Sequence, residues 1–235
     1  MQPILFMIVA LLTLNVSASE LGKVTHLSGV LTAERAGSSP KLLSVQSAIL
    51  QGDILRTEED SYARIKFNDN AELVLRPETL FKVNEHSYQD ATGSSNKSDM
   101  ELIKGGMRAV TGLIGKHSPD AVKVGTPTAT IGIRGTHFGL LFCQDNCGNV
   151  PNPNGVLPEN GLHADVVSGA ISVTNAVGTI ELVAGQFGYV SNMNALPQQV
   201  PANLGVQVTM PLAIRQNEAP SATIGKGKES QCAIQ

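Results

Sequence analysis

The chain has 235 residues and a formal net charge of −3, with 17 Lys and Arg against 20 Asp and Glu. A near-neutral, slightly acidic chain lacks the basic footprint of a nucleic-acid binder, so no nucleic-acid partner is expected. Aromatic residues make up 4% of the chain, Trp is absent and Gly occurs 23 times; this predicts many tight turns around a core of Val, Ile and Leu.

The first segment runs apolar from Ile4 to Val16 and closes with Val16-Ser-Ala18. A short apolar run ending in small residues is the layout of a secretory signal peptide, so residues 1–18 are read as a signal peptide cleaved after Ala18. The run is shorter than the roughly 20 apolar residues that a membrane span needs, and the mature chain is expected not to span a membrane. The rest divides into a β domain over 19–192 and a C-terminal tail over 193–235. Export to the periplasm or beyond puts Cys143, Cys147 and Cys232 in an oxidising compartment, where a disulfide is expected.

Turn signals recur at short intervals, and the stretches between them favour β-branched residues, which predicts an all-β fold. Gly52-Asp53 reads as a turn entering a strand. The clearest hairpin spans 62–75: Ala63, Ile65 and Phe67 alternate with Arg64, Lys66 and Asn68, and Leu73 and Leu75 follow. Its turn, Asn68-Asp69-Asn70, uses residues that tolerate left-handed backbone. Phe81 and Val83 flank Lys82 in a further strand. Residues 87–100 are polar and predict an exposed loop. Residues 102–115 carry four glycines, which argues against a long helix and predicts a strand, a turn and one short helical turn.

A run of unusual composition comes next: Val122-Lys-Val-Gly-Thr-Pro-Thr-Ala-Thr-Ile-Gly-Ile-Arg-Gly-Thr136. Glycine, threonine and small apolar residues surround Arg134, and the short apolar strand 138–142 follows. Residues 143–161 are dominated by Asn, Pro and Gly and read as a clamped loop insertion. β structure resumes over 162–192. There, Ala164-Asp-Val-Val-Ser-Gly-Ala-Ile-Ser172 echoes Val24-Thr-His-Leu-Ser-Gly-Val-Leu-Thr32, and Gly185-Gln186 echoes Gly52-Asp53. Two diverged β modules, each covering the other's apolar face, would account for the echo. The tail is expected to be partly helical or to pair near 205–210.

The chemistry-bearing motifs are sparse. Gly-x-Ser-x-Gly, His-Glu-x-x-His and phosphate-loop patterns do not occur, so no catalytic residue, metal ligand or cofactor is assigned. The five histidines are scattered singly; a site from His137, His163 and a cysteine matches no zinc spacing. Cys143 and Cys147, four residues apart in an exported chain, are expected to form a small disulfide that fixes the base of the loop. Arg134 lies among Ile131, Ile133 and Phe138 and is expected to reach a desolvated partner. The favoured reading is a fold-specifying buried ion pair with Asp53, Asp60 or Asp69; the other is an Arg presented to an anionic ligand or a partner's carboxylate. Asp145, Asn146, Asn152 and Asn154 join Arg134 as candidate contacts for a partner or ligand.

Gly52-Asp-Ile-Leu-Arg-Thr57, Ala63-Arg-Ile-Lys-Phe-Asn-Asp69 with Leu73-Val-Leu75, Leu102-Ile-Lys-Gly-Gly-Met-Arg108 and above all Thr126-Pro-Thr-Ala-Thr-Ile-Gly-Ile-Arg-Gly-Thr136 together resemble the FecR-like periplasmic domain family. The resemblance covers most of 24–190, and Asn70 stands where that family often has Gly. It implies a short-stranded, solenoid-like or sandwich β domain in the bacterial envelope with a habit of binding proteins. It also marks Gly52, Asp53, Asp69, Gly132, Arg134, Gly135 and Thr136 as structural. The family's name-bearing regulators add a cytoplasmic segment and a membrane helix, which this chain is expected to lack, so no inward signal relay is expected of it. The expected function is therefore an exported, non-enzymatic envelope protein that docks another envelope or secreted protein. The alternative is a periplasmic glycan- or anion-binding protein.

Overall fold

A computed structural model of the protein describes residues 19–90, 95–145, 147, 150, 152–211 and 214. The expected signal peptide and Cys232 lie outside the described residues. The hairpin forms as its alternation requires. Strands β1 (Glu20–Ser28), β2 (Leu31–Glu34), β3 (Lys41–Leu43), β4 (Ala48–Leu50) and β5 (Ile54–Thr57) precede it. Then β6 (Tyr62–Phe67) buries Ala63, Ile65 and Phe67, and β7 (Glu72–Leu75) buries Leu73 and Leu75. Asn70 closes the turn at φ 65°, a left-handed conformation that Asn adopts more readily than most residues.

The remaining elements are β8 (Leu80–Ser87), β9 (Lys97–Val110), α1 (Leu113–His117), β10 (Val122–Gly125), β11 (Thr130–Cys143), β12 (Gly161–Thr174), β13 (Thr179–Val183), β14 (Phe187–Val190) and β15 (Gln198–Val200). All the strands belong to one hydrogen-bonded sheet. Three long strands change partners half-way along. The first half of β9 pairs with β8 and with β10, while its second half pairs with β7 and with the second half of β11. β11 and β12 cross over together, with register shifts between Arg134 and Phe138. The sheet thus folds over on itself into two layers. One runs β4-β1-β6-β7-β9-β11-β12-β14-β15; the other runs β3-β2-β5-β8-β9-β10-β11-β12-β13. Their facing side chains, among them Val24, Ile65, Phe81, Leu102, Phe138, Leu140, Val166 and Ile171, form one apolar cluster. The all-β expectation holds, and the architecture is a two-layer sandwich wound like a solenoid.

The crossings share one device. At each, a residue with positive φ is followed by a residue whose backbone N–H donates to a Ser or Thr hydroxyl of a neighbouring strand or turn. Gly29 precedes Val30, which donates to Ser61 Oγ (2.9 Å). Glu78 precedes Thr79, which donates to Thr57 Oγ1 (3.0 Å), and Gly105 precedes Gly106, which donates to Thr79 Oγ1 (3.0 Å). Gly135 precedes Thr136, which donates to Thr111 Oγ1 (2.9 Å), and Gly169 precedes Ala170, which donates to Thr136 Oγ1 (3.2 Å). Two hydroxyl ladders result, Thr57 to Thr79 to Gly106 and Thr111 to Thr136 to Ala170. At Gly169 (φ 80°) a Cβ would meet the Gly135 carbonyl oxygen at 2.5 Å, so only glycine fits.

The echo between the two ends of the sandwich has a geometric counterpart. Gly29 and Gly169 bend alike (φ 82° and 80°), and Gly52 and Gly185 sit in matching turns (φ 81° and 82°). Leu50 N–H donates to Asp53 Oδ2 (2.8 Å) and Val183 N–H to Gln186 Oε1 (2.9 Å). Both ends feed the same apolar cluster.

Three local expectations are corrected. Residues 122–136 and 138–142 are not separate pieces, because β11 runs continuously to Cys143 and Gly135 only turns it. The loop expected over 87–100 ends sooner, as β9 starts at Lys97 and the buried Asn96 ties the loop by accepting from Gln89 N–H (3.0 Å) and donating to the Asp90 carbonyl. Residues 193–235 are not simply a tail: Val206, Val208 and Met210 are buried.

Candidate functional site

Side chains alternate across a strand, so each inward residue of the first layer implies an outward one. The outward set here is Tyr62, Val74, Arg76, Arg108, His137, Leu141, Cys143 and Asp165. This face is covered twice. The loop between β11 and β12 folds back over it, and the segment 203–211 lies across it as a strap. Cys143 and Cys147 form the expected disulfide, with their Cα atoms 5.5 Å apart. Both are buried with Val150, Leu141, Val206, Val208 and Met210 in a second apolar cluster, against which Tyr62 and Val74 pack.

Charged side chains hold the strap by its backbone. Arg108 pairs with Asp165 (Nη2 to Oδ2, 2.6 Å) and donates from Nε to the Val208 carbonyl (2.7 Å). Asp165 Oδ1 accepts the Val208 N–H (3.0 Å), so both backbone groups of Val208 are read by side chains. Arg76 donates to the Thr209 carbonyl, and its guanidinium carbon lies 5.9 Å from the Tyr62 ring centroid. Arg76 is 5% exposed and Asp165 2%. Gly139 opens the space, because a Cβ there would collide with Asp165 and Val208. His137 Nε2 is 3.2 Å from Arg108 Nη1 and, as the neutral ring, accepts from it. Burial and then the Arg108 charge hold His137 below the ordinary histidine range.

Beside the strap lies a cleft lined by Val156, Leu157, His163, Tyr189, Leu204 and Val206 among others. His163 donates from Nε2 to the Glu159 carbonyl (2.8 Å), its ring sits 4.8 Å from that of Tyr189, and Tyr189 Oη donates to the Asn160 carbonyl (2.7 Å). Burial lowers the His163 pKa and raises that of Tyr189. Val156, Leu157 and Leu204 are 57%, 59% and 52% exposed on this rim.

The sequence-predicted candidates fall elsewhere. Asp145 and Asn160 clasp each other, with Asp145 N–H donating to Asn160 Oδ1 and Asn160 Nδ2 donating to Asp145 Oδ1, both at 2.8 Å. Asn152 Oδ1 accepts the backbone N–H groups of Asn154 and Val156 (3.0 and 3.1 Å), and Asn154 Nδ2 donates to the Asn203 carbonyl (2.9 Å). These side chains fix the loop's own backbone. Asn146 lies outside the described residues.

Arg134 is not buried. Its side chain is 61% exposed and faces Glu181 Oε1 at 3.6 Å across the intervening strand β12. Ile131 and Ile133 point inward, so the alternation of β11 turns Arg134 out. The carboxylates proposed for it serve other groups. Asp53 pairs with Arg35 Nε (2.6 Å). Asp69 accepts the N–H groups of Ala71 (3.0 Å) and Ile114 (3.3 Å) and lies 3.6 Å from His86 Nε2. Asp60 closes a turn at φ 57°. His86, buried between Ser98 (3.1 Å) and Asn68 (2.9 Å), is held below the ordinary histidine range by desolvation, opposed by Asp69. Gly132 packs under Ser172, where a Cβ would meet Oγ at 2.6 Å. His137 and His163 pair with Ser168 and Leu141 at separate points of the β11–β12 ladder, and Cys143 is in the disulfide, so the structure does not bring these three together as ligands.

The residues that sequence reasoning missed are Arg76, Arg108 and Asp165. Their signal was a charge at an outward strand position facing an apolar alternation in the tail, which needs the fold to be seen. An apolar-cored sandwich with a clamped loop and strap defines a domain of the all-β class. Residues 53–149 match the family model described as FecR protein. No curated protein matches it in sequence. Two crystal structures of a "putative anti-sigma factor" from Parabacteroides distasonis ATCC 8503 are similar at 12% identity, with TM-scores of 0.47 and 0.48. The alignment covers 64% of this chain and 60% of each of those chains. Among the described residues no helix is long and apolar enough to cross a membrane.

Proposed function

We propose that this is an exported, non-enzymatic protein of the bacterial envelope whose FecR-type domain docks another envelope protein, in a sensing or assembly role. The reading of residues 1–18 as a cleaved signal peptide supports export, and the FecR-type domain supports a regulatory setting. The observation that carries docking is the rim of Val156, Leu157 and Leu204. Isolated exposed apolar residues need no explanation, but three on one cleft mark a contact surface. The disulfide and the Asp145–Asn160 clasp hold the Val156 and Leu157 side of that rim in place before any partner arrives, which lowers the ordering cost of binding.

The test is crosslinking in the native envelope, comparing wild type with Leu157→Asp/Leu204→Asp, with captured proteins identified by mass spectrometry. The expected result is one envelope protein held by wild type and lost in the double variant. Capture that the substitutions leave unchanged sinks the rim as the contact. Sequencing of the mature N-terminus checks export, with Ser19 expected first. Glycan or anion binding through Arg134 has less support, since the guanidinium lies opposite Glu181 on an open face.

A further inference from the structure

We propose that the outer face of the first layer is a binding groove for an extended peptide with apolar residues at alternate positions. In this structure the chain's own strap fills it, and a segment of the docked envelope protein takes the strap's place. The inference deepens the docking reading by naming the partner element and where it sits.

Three observations support it. First, the strap is seated as a ligand would be. Val206, Val208 and Met210 are buried at 2%, 0% and 5% exposure while Gln207 and Thr209 point to solvent. Recognition of an extended segment through backbone contacts plus alternate side-chain pockets is a general mode of peptide binding. Second, the groove reads backbone, not side chains: Arg108, Asp165 and Arg76 contact the Val208 carbonyl, the Val208 N–H and the Thr209 carbonyl. A groove built that way accepts any segment with the same apolar spacing. Third, the strap leaves the groove's charge uncompensated. Arg108 is paired with Asp165 and Arg64 with Glu72, but among the described residues no carboxylate reaches Arg76 within salt-bridge distance. A buried Arg held by a carbonyl and an aromatic face gains from a carboxylate. A partner segment that brings one to Arg76 therefore has an advantage that the strap lacks.

The strap is also placed to leave. It follows the exposed turn 201–204, in which Leu204 and Gly205 N–H groups both return to the Pro201 carbonyl (2.9 Å each). The full chain with a protease site inserted between Ala202 and Asn203 would be nicked after folding, with native circular dichroism confirming an intact sandwich. The probe is a fluorescein-labelled peptide of residues 205–211. The expected result is that this probe replaces the nicked strap. The un-nicked chain should bind it about tenfold or more weakly, because the tethered strap competes at high effective concentration. The same peptide carrying Val208→Asp should fail to bind. A peptide of residues 205–209 with a free C-terminal carboxylate, which lands beside Arg76, should bind several-fold tighter than its amide.

No exchange in folded, nicked protein overturns the groove, as does equal binding of the Val208→Asp peptide. Equal binding of acid and amide overturns the charge argument. Concentration-dependent dimerisation of the un-nicked chain that the probe abolishes would assign the groove to a second copy and overturn the partner reading. These solution results do not depend on envelope capture, so they can fail while docking through the rim stands.

Discussion

The two apolar clusters of this protein are built on different principles. The one between the layers is apolar throughout, and it is closed at its crossings by hydroxyls that pair with backbone. The one under the strap mixes a disulfide, five aliphatic or Met side chains and the charges Arg76, Arg108 and Asp165. Apolar packing tolerates no gaps but specifies little about which segment fills it. Charges that read one residue's carbonyl and N–H fix a segment in place at a desolvation cost. The first cluster makes the fold; the second holds the strap on it.

Perturbing each cluster separately sharpens that contrast. Phe81→Ala or Phe138→Ala removes a fully buried ring and should cost about 3–5 kcal/mol, read as one cooperative loss in urea unfolding. Asp165→Ala leaves Arg108 and the Val208 N–H without their acceptor and should cost about 3 kcal/mol. Here hydrogen exchange at 206–210 should rise before the sandwich opens. If both regions open together, the division into two clusters is wrong. Gly169→Ala forces a left-handed residue against the Gly135 carbonyl and should cost about 2 kcal/mol. Cys143→Ser with Cys147→Ser opens a very short loop, so about 1–2 kcal/mol is expected, confined to the loop and strap.

Acidification gives the most gradual change. His86, His137 and His163 all have folded pKa values below their unfolded ones. The unfolded chain therefore takes up more protons as pH falls below about 6.5, and stability declines through that window. Thermal unfolding from pH 7 to 5 should show the decline, and His86→Gln should flatten it. A flat profile in wild type would mean that these rings are solvated.

Much of the sandwich was legible because a half-buried strand shows its burial in its own spacing. Ala63, Ile65, Phe67, Leu73 and Leu75 are buried as their alternation required. The Cys143–Cys147 pair followed from spacing and compartment. Arg134 misled because its apolar neighbours were read as surroundings, when alternation places them on the opposite face. Nothing in the sequence marks Gly105, Gly135 and Gly169 as corners, since a sequence does not distinguish a glycine that ends a strand from one that carries it into the second layer. The strap was least legible. Three alternate apolar residues among Pro and Gln make a weak signal, and the charges that hold it come from β9, β12 and the residue just after β7, more than 40 residues upstream.

The hydroxyl ladders bear on how such a chain can change length. The sequence separations from donor to hydroxyl in their four rungs are 22, 27, 25 and 34 residues. The local rule does not vary: the donor always comes directly after the left-handed residue. Insertions and deletions between corners leave that rule intact, whereas a single-residue shift inside a corner breaks it. Evolution can therefore lengthen or shorten the arcs, the disulfide-clamped loop between β11 and β12 among them, without re-specifying the winding. Length variation among proteins with this winding should concentrate in the arcs and spare the corners.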